Sequence, residues 1–219
     1  KIVGKSVPRL DLPAKVNGTA EFGIDVTLPG MAYASVAMSP VIDGKVASFN
    51  ADKAKAMPGV QAIVQYSRGV AVVADSFWQA KQARDALDIT WDEGAKAGLN
   101  MDGIWGGLRT SAKEPGVTYR KEGDAEAAIK GAAKVLDLEY ETCFQSHSPM
   151  EAMNAVADVR ADSATIIAPN QFQQLIPVVV AGVTGLKPEQ VEVKTTYLGG
   201  GFGRRVEVDY TVDAAEISK

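Results

Sequence analysis

The residues best suited to chemistry stand together near the carboxyl end, in Tyr197-Leu198-Gly199-Gly200-Gly201-Phe202-Gly203-Arg204-Arg205. Four of the five residues from Gly199 to Gly203 are glycine. Glycine costs folding entropy, so a run of it answers a backbone need, either positive φ or close approach of a ligand to peptide N–H groups. Successive N–H groups in such a turn form a concavity that can hold an anion. Arg204 and Arg205 add fixed positive charge and forked donors matched to phosphate or pyrophosphate oxygens. A flexible hairpin turn with two solvated arginines has the same composition, and the run alone leaves both readings open. Its spacing excludes two phosphate loops: no Lys-Ser/Thr follows the glycines as in a P-loop, and they are not placed as in a dinucleotide fingerprint.

A second group is weaker. His147 and Glu151, in the polar link Gln145 to Asn154, invite an acid–base reading. With one histidine and no nucleophile nearby, a structural histidine is the expectation. Cys143 is the only cysteine, so this chain builds no disulfide, zinc site or iron–sulfur cluster from its own residues. Asp137, Glu139 and Glu141 share one face of an alternating segment, which is expected to be a solvated strand face rather than a cation site. Trp78 and Trp91 are expected in the core rather than as a ligand-stacking pair.

The 219 residues, 46% of them apolar, carry a net charge of −4, a globular composition with chain enough for one or two cores. No basic excess points to nucleic acid. The longest apolar run, Ile176 to Val183, holds Pro177 and Gly182 and falls far short of the ~20 residues of a membrane span. A start at Lys1 rather than Met suggests a chain processed or excised from something longer.

The elements that must carry these groups can be read in order. Residues 1–30 are turn-rich and expected to be irregular. Met31 to Met38 is a buried strand, Ala51 to Met57 a short helix stopped by Pro58-Gly59, and Val60 to Tyr66 and Gly69 to Ala74 a strand pair turning at Ser67-Arg68. Ser76 with Gln79 has capping-box spacing and opens a helix to about Leu87, with Phe77, Ala80, Ala83 or Arg84, and Leu87 on one side; Asp88 to Trp91 is a strand. Asp92 to Gly116 is a glycine-rich linker with one helical turn near Ile104 to Leu108. Asp124 caps a helix, Ala125 to Ala133. Val135 to Phe144 alternates as a strand, Ala155 to Arg160 and Ala164 to Ala168 make a hairpin, and a helix from Phe172 to Val183 is interrupted at Pro177. Val191 to Tyr197 is a strand delivering the glycine run, and Val206 to Ser218 opens a helix.

Three stretches together resemble one family. Pro8-Arg9-Leu10-Asp11, Lys15-Val16-Asn17-Gly18, Phe22-Gly23-Ile24-Asp25 and Leu28-Pro29-Gly30-Met31 are similar to the start of an α/β-hammerhead domain. His147-Ser148-Pro149-Met150-Glu151-Ala152-Met153 resembles the link into a molybdenum-binding domain, and Gly199 to Arg205 that domain's cofactor loop. The family is that of the xanthine dehydrogenase/aldehyde oxidase molybdenum hydroxylases, in the branch of the isoquinoline 1-oxidoreductase large (beta) subunit and bacterial aldehyde dehydrogenases. The resemblance implies an α+β fold in which residues 1–13 are an extension, 14–92 an α/β-hammerhead domain, 93–116 a linker, and 117–219 the first part of a molybdopterin-binding α+β domain.

By the same resemblance Gly200, Gly201, Phe202 and Gly203 lie against the molybdenum centre and its pterin, with Arg204 beside the pterin or its nucleotide. The family places a glutamine 31 residues before the loop phenylalanine, and Gln171 stands there. Its implied role is to hydrogen-bond an oxygen ligand of the metal and hold the cofactor's orientation; Gln173 and Gln174 compete for it. The family holds its metal through the pterin rather than through protein ligands, and the form implied here is molybdopterin cytosine dinucleotide. Its [2Fe–2S] clusters sit on a small partner subunit, and further segments of the large subunit complete the domain. Two positions depart from the pattern: Ala152 replaces a proline, and Val206 stands where purine hydroxylases carry a glutamate, which favours N-heteroaromatics or aldehydes over purines. The family's late catalytic glutamate has no match in these residues, so they are expected to be silent alone. The compartment, periplasm or cytoplasm, stays open. An alternative from another class is a non-catalytic module binding a phosphorylated small molecule or a partner chain through the same loop.

Overall fold

Pro13 falls in the first turn of a short helix, α1 (Leu12–Asn17), where a missing N–H costs nothing, and Gly18 ends it at φ 78°. This corrects the expectation of irregular chain up to residue 30. The computed structural model in which this is seen describes residues 2–219. The chain divides by compactness into one unit running up to Gly94 and resuming over His147–Lys219, and a second unit, Ala95–Ser146. The division by resemblance runs differently, cutting after residue 92 and again after 116.

In the first unit, β1 (Tyr33–Met38), β2 (Lys45–Asn50), α2 (Asp52–Lys55), β3 (Val60–Tyr66), β4 (Gly69–Ala74), α3 (Phe77–Asp85) and β5 (Asp88–Asp92) follow in sequence. β4 lies between β1 and β3, antiparallel to both, and a central strand covered by a helix must be apolar on both faces. Accordingly Val70, Ala71, Val72 and Ala74 are fully buried. Val72 packs with Ala54 of α2 and Ala83 of α3. Ser76 caps α3 as expected, its Oγ accepting from the Gln79 N–H at 3.3 Å.

Two expectations fail here. The inward side of α3 is made by the small residues Ala80 and Ala83, so Phe77 and Trp78 lie exposed, Trp78 at 62%. β2, which pairs antiparallel with β5, was not anticipated, because Lys45–Asn50 lacks a continuous apolar pattern.

The second unit holds α4 (Met101–Ser111), longer than the single turn expected, and α5 (Ala125–Lys130), ending at Gly131. Asn100 and Asp124 cap them through Gly103 and Ala127. Val135 to Phe144 forms no strand, which corrects the alternating reading: a strand needs a ladder partner, and none pairs with it among the described residues. Leu136, Leu138, Tyr140 and Phe144 are exposed, and Arg109 pairs with Glu139 and Glu141.

The first unit resumes with β6 (Val156–Val159), β7 (Ala164–Ile167), α6 (Ile176–Thr184), β8 (Val191–Lys194) and α7 (Asp209–Ser218). The hairpin β6–β7 forms as expected, and β7 then pairs parallel with β8, the chain crossing over through α6. Pro177 starts α6 instead of interrupting it, since the first turn needs no proline N–H. Ile166, Ile176, Val180, Val208, Tyr210 and Ala215 form the core between this sheet and the two helices. Parallel pairing puts the carboxyl ends of β7 and β8 side by side, with Gln171 following one and the glycine run the other.

Candidate cofactor loop

β8 ends at Lys194, and Tyr197 makes one further parallel bridge to Phe22 before the glycines begin. Gly200 and Gly203 take φ of 101° and 91°, and Phe202 between them takes 51° with its ring 76% exposed. Positive φ at a bulky residue is costly, so this loop conformation is imposed from outside.

What imposes it is a buried ion pair. Arg205 is fully buried and Glu151 nearly so, with Arg205 Nη2 2.9 Å from Glu151 Oε2. The same guanidinium donates to the carbonyls of Glu151 and Gly200, both at 2.8 Å, and of Pro169 at 3.3 Å. Glu151 in turn accepts from the Gly199 N–H at 2.8 Å and the Ile24 N–H at 3.1 Å, and its own N–H donates to the Gly199 carbonyl at 3.0 Å. Both ions are paired and hydrogen-bonded, the condition under which such burial is tolerated. Side chains would not fit: a Cβ on Gly199 would lie 2.4 Å from Glu151 Cβ, and one on Gly23 2.3 Å from Pro169 Cδ.

Of the two arginines read as anion donors, Arg205 therefore points inward. Arg204 is forked onto Asp209, Nη1 to Oδ1 at 2.7 Å and Nη2 to Oδ2 at 2.8 Å, and Nη1 also lies 3.5 Å from Glu207 Oε2. Gln171 does meet the loop: a Cβ on Gly201 would lie 2.9 Å from its Oε1, and its N–H donates to the Arg205 carbonyl at 3.0 Å. Gln173 and Gln174 are exposed. His147 is exposed beside Gly203, and no hydrogen bond joins it to Glu151 among the described residues, so the suggested acid–base pair is not assembled.

The N–H groups of Gly200, Gly201, Phe202 and Gly203 have no acceptor among the described residues. Asn170, two per cent exposed between the ends of β7 and β8, keeps Oδ1 without a partner there, while its Nδ2 binds the Ala168 carbonyl and Thr195 Oγ1. The arrangement is a run of backbone donors without acceptors among the described residues, with the Gln171 amide over Gly201, and it suits an acceptor-rich ligand. Sequence reasoning missed Glu151 as the anchor and Asp209 as the partner of Arg204. Asp209, five residues beyond Arg204 in the first turn of an expected helix, was the one with a local signal.

Asp209 and Asp213 differ in proton affinity. Burial raises the Asp209 carboxyl, but the hydrogen bonds and charges of Arg204 and Arg68 outweigh it and hold it below the usual range. Burial dominates at Asp213 and pushes it up to about 6 against the Arg68 charge, with Asp209 and Glu216 acting in the same direction as burial. A raised carboxyl means that the folded state binds the proton more tightly. The stability tied to Asp213 is thus full below the unfolded value and lost as pH rises through about 6. Asp213→Asn should therefore gain ~2–3 kcal/mol on wild type between about pH 4 and pH 7.5, read from urea midpoints at the two pH values. A constant difference would refute it.

Residues 110–217 match the family described as the molybdopterin cofactor-binding domain, a stretch that includes Gln171 and the whole glycine loop. Along its full length the chain shares the fold of quinoline 2-oxidoreductase from Pseudomonas putida 86, which superposes with a TM-score of 0.74 over 100% of this chain and 34% of that one, at 18% identity. Among curated relatives, isoquinoline 1-oxidoreductase subunit beta of Brevundimonas diminuta is 30% identical over 99% of the chain. A membrane-bound aldehyde dehydrogenase of Gluconacetobacter polyoxogenes, named for pyrroloquinoline quinone, is 34% identical over 100%. The chain spans 29% and 30% of these two relatives' lengths. Among the described residues no helix is long and apolar enough to cross a membrane, and no group of three potential ligands could hold a metal ion.

Proposed function

We propose that this chain positions a molybdenum-bearing pterin within a larger oxidoreductase subunit acting on N-heteroaromatics or aldehydes. The observation that carries the reading is the run of unengaged N–H groups from Gly200 to Gly203, faced by Gln171. Those four backbone donors would hold acceptor atoms of the cofactor, Gln171 would orient it through its amide, and Arg204 would flank it with the donors that Asp209 leaves over. The residues suit a group whose metal is bound by its own sulfurs, because they offer hydrogen bonds rather than ligands. When bound, the centre supplies the two-electron oxidation of an electron-poor carbon. The chain's share is to bind, orient and wall the cofactor.

In the same reading the pterin is the cytosine dinucleotide, the [2Fe–2S] clusters lie on a small partner subunit, and further large-subunit segments complete the site. Residues 14–92 act as the hammerhead domain, 93–116 as the linker and 117–219 as the first part of the cofactor domain. Val206 in place of a glutamate supports a non-purine substrate. The alternative, a phosphate-binding module, loses its main support because Arg205 is buried and Arg204 forked onto Asp209.

The test is cofactor analysis of the full-length protein expressed with molybdate. About one molybdenum and one pterin per chain are expected, and growth on tungstate should abolish turnover while leaving the pterin in place. A protein carrying pyrroloquinoline quinone, or neither molybdenum nor pterin, would overturn the reading.

A further inference from the structure

We infer that Arg68, in the turn between β3 and β4, is a positioning residue for the glycine loop, acting through Asp209 and Arg204. Its consequence for cofactor occupancy rests on the function proposed above; its effect on the loop does not. Arg68 Nη1 lies 3.0 Å from Asp209 Oδ2 and 3.3 Å from both oxygens of Asp213. Asp209 is the carboxylate that Arg204 grips with both Nη atoms, so one acceptor is shared by two guanidiniums 141 and 5 residues away along the chain. The neighbouring turn residue binds the same helix: the Ser67 N–H and Oγ donate to Glu216 Oε2 at 3.1 and 2.6 Å. Residues 209, 213 and 216 occupy one face of α7 at helical spacing. The hairpin turn thus clasps α7 along two turns, and α7 begins where the loop ends.

The loop is therefore held at both ends by different means. Glu151 and Arg205 fix Gly199 and Gly200, whereas the Arg204 guanidinium is held by Asp209 at 2.7 and 2.8 Å and more distantly by Glu207 at 3.5 Å. Taking away the Arg68 charge leaves two carboxylates, Asp209 and the buried Asp213, with a single guanidinium between them. Like charges at that spacing repel, and Arg204 is the group free to move toward a new balance. The hydrogen bonds of the Arg204 N–H to the Gly201 carbonyl and of the Val206 N–H to the Gly203 carbonyl then open more often. These two bonds set the curvature of the segment carrying the open donors.

Hydrogen exchange followed by mass spectrometry on the full-length protein separates this role from a general effect on stability. Arg68→Met should speed exchange of the bonded Arg204 and Val206 amides, read in peptides covering residues 199–208, about tenfold while peptides from β4 and β7 keep wild-type rates. Molybdenum and pterin content should fall severalfold, and Arg68→Lys should restore most of both. If Arg68→Met does not accumulate as folded protein, Arg68→Met/Asp213→Asn decides. It removes the uncompensated buried carboxylate but still leaves Asp209 without Arg68, so its loop should exchange fast in a folded protein. Unchanged loop exchange, or a rise shared equally by β4 and β7, would overturn the inference. Absence of molybdenum and pterin from the wild type as well would sink the cofactor reading alone, with the exchange data still deciding on Arg68.

Discussion

Arg205→Met is expected to destabilise the folded protein by ~3–5 kcal/mol, the cost of leaving a buried charge without its partner. The residue has no exposed surface, and its guanidinium engages Glu151 together with the carbonyls of Glu151, Pro169 and Gly200. Removing it strands the Glu151 carboxylate and three acceptors at once, and lets the loop from Gly199 to Gly203 relax away from positive φ. Most of the loss should come from the stranded charge rather than from missing contacts. Glu151→Gln/Arg205→Met should then recover roughly half of it, because the amide keeps an acceptor for Gly199 without an ion to desolvate. Urea unfolding followed by circular dichroism measures both variants. A single-variant cost below about 1 kcal/mol would show that the pair is dispensable to the fold.

Gly199→Ala is the second large effect. One methyl placed 2.4 Å from Glu151 Cβ and 3.1 Å from its Oε2 must push that side chain out of line with Arg205. Overpacking of this kind costs ~1–3 kcal/mol, and here it falls on the anchor of the loop, so molybdenum content should drop with it. Gly182→Ala is the matching control. Gly182 lies inside α6 with nothing within 4 Å of the added atom, and alanine there should stabilise by up to ~1 kcal/mol. Retention of full molybdenum content by Gly199→Ala would separate the loop from the cofactor.

Much of this was legible in the sequence where the cause is local. The Val- and Ile-rich runs on either side of Ser67-Arg68 fold as the pair they suggest, Ser76 and Asp124 cap the helices they precede, and Gly185 closes α6 at φ 83°. The parallel pairing of β7 and β8 brings the Gln171 and Phe202 segments to the same ends of adjacent strands, a neighbourhood that their spacing does not reveal by itself. Causes distant in sequence were not legible. Nothing local tells which of two adjacent arginines turns inward. That was decided by Glu151, 54 residues earlier. The alternation of Val135 to Phe144 marks a segment able to pair, but pairing depends on what lies alongside. α3 was misjudged because alanines, not the larger Phe77 and Trp78, fit against the tightly filled β4.

The span of the bonds that fix the loop has a consequence for biosynthesis. Ile24 reaches Glu151 across 127 residues and Ser67 reaches Glu216 across 149, so the loop closes only after chain entropy has been spent over most of the sequence. During translation the amino-terminal segment and the hairpin turn leave the ribosome before the glycine run and wait as a preformed mould. The glycines follow both and take their shape from them, so loop closure waits until residues as far as Glu216 have been made.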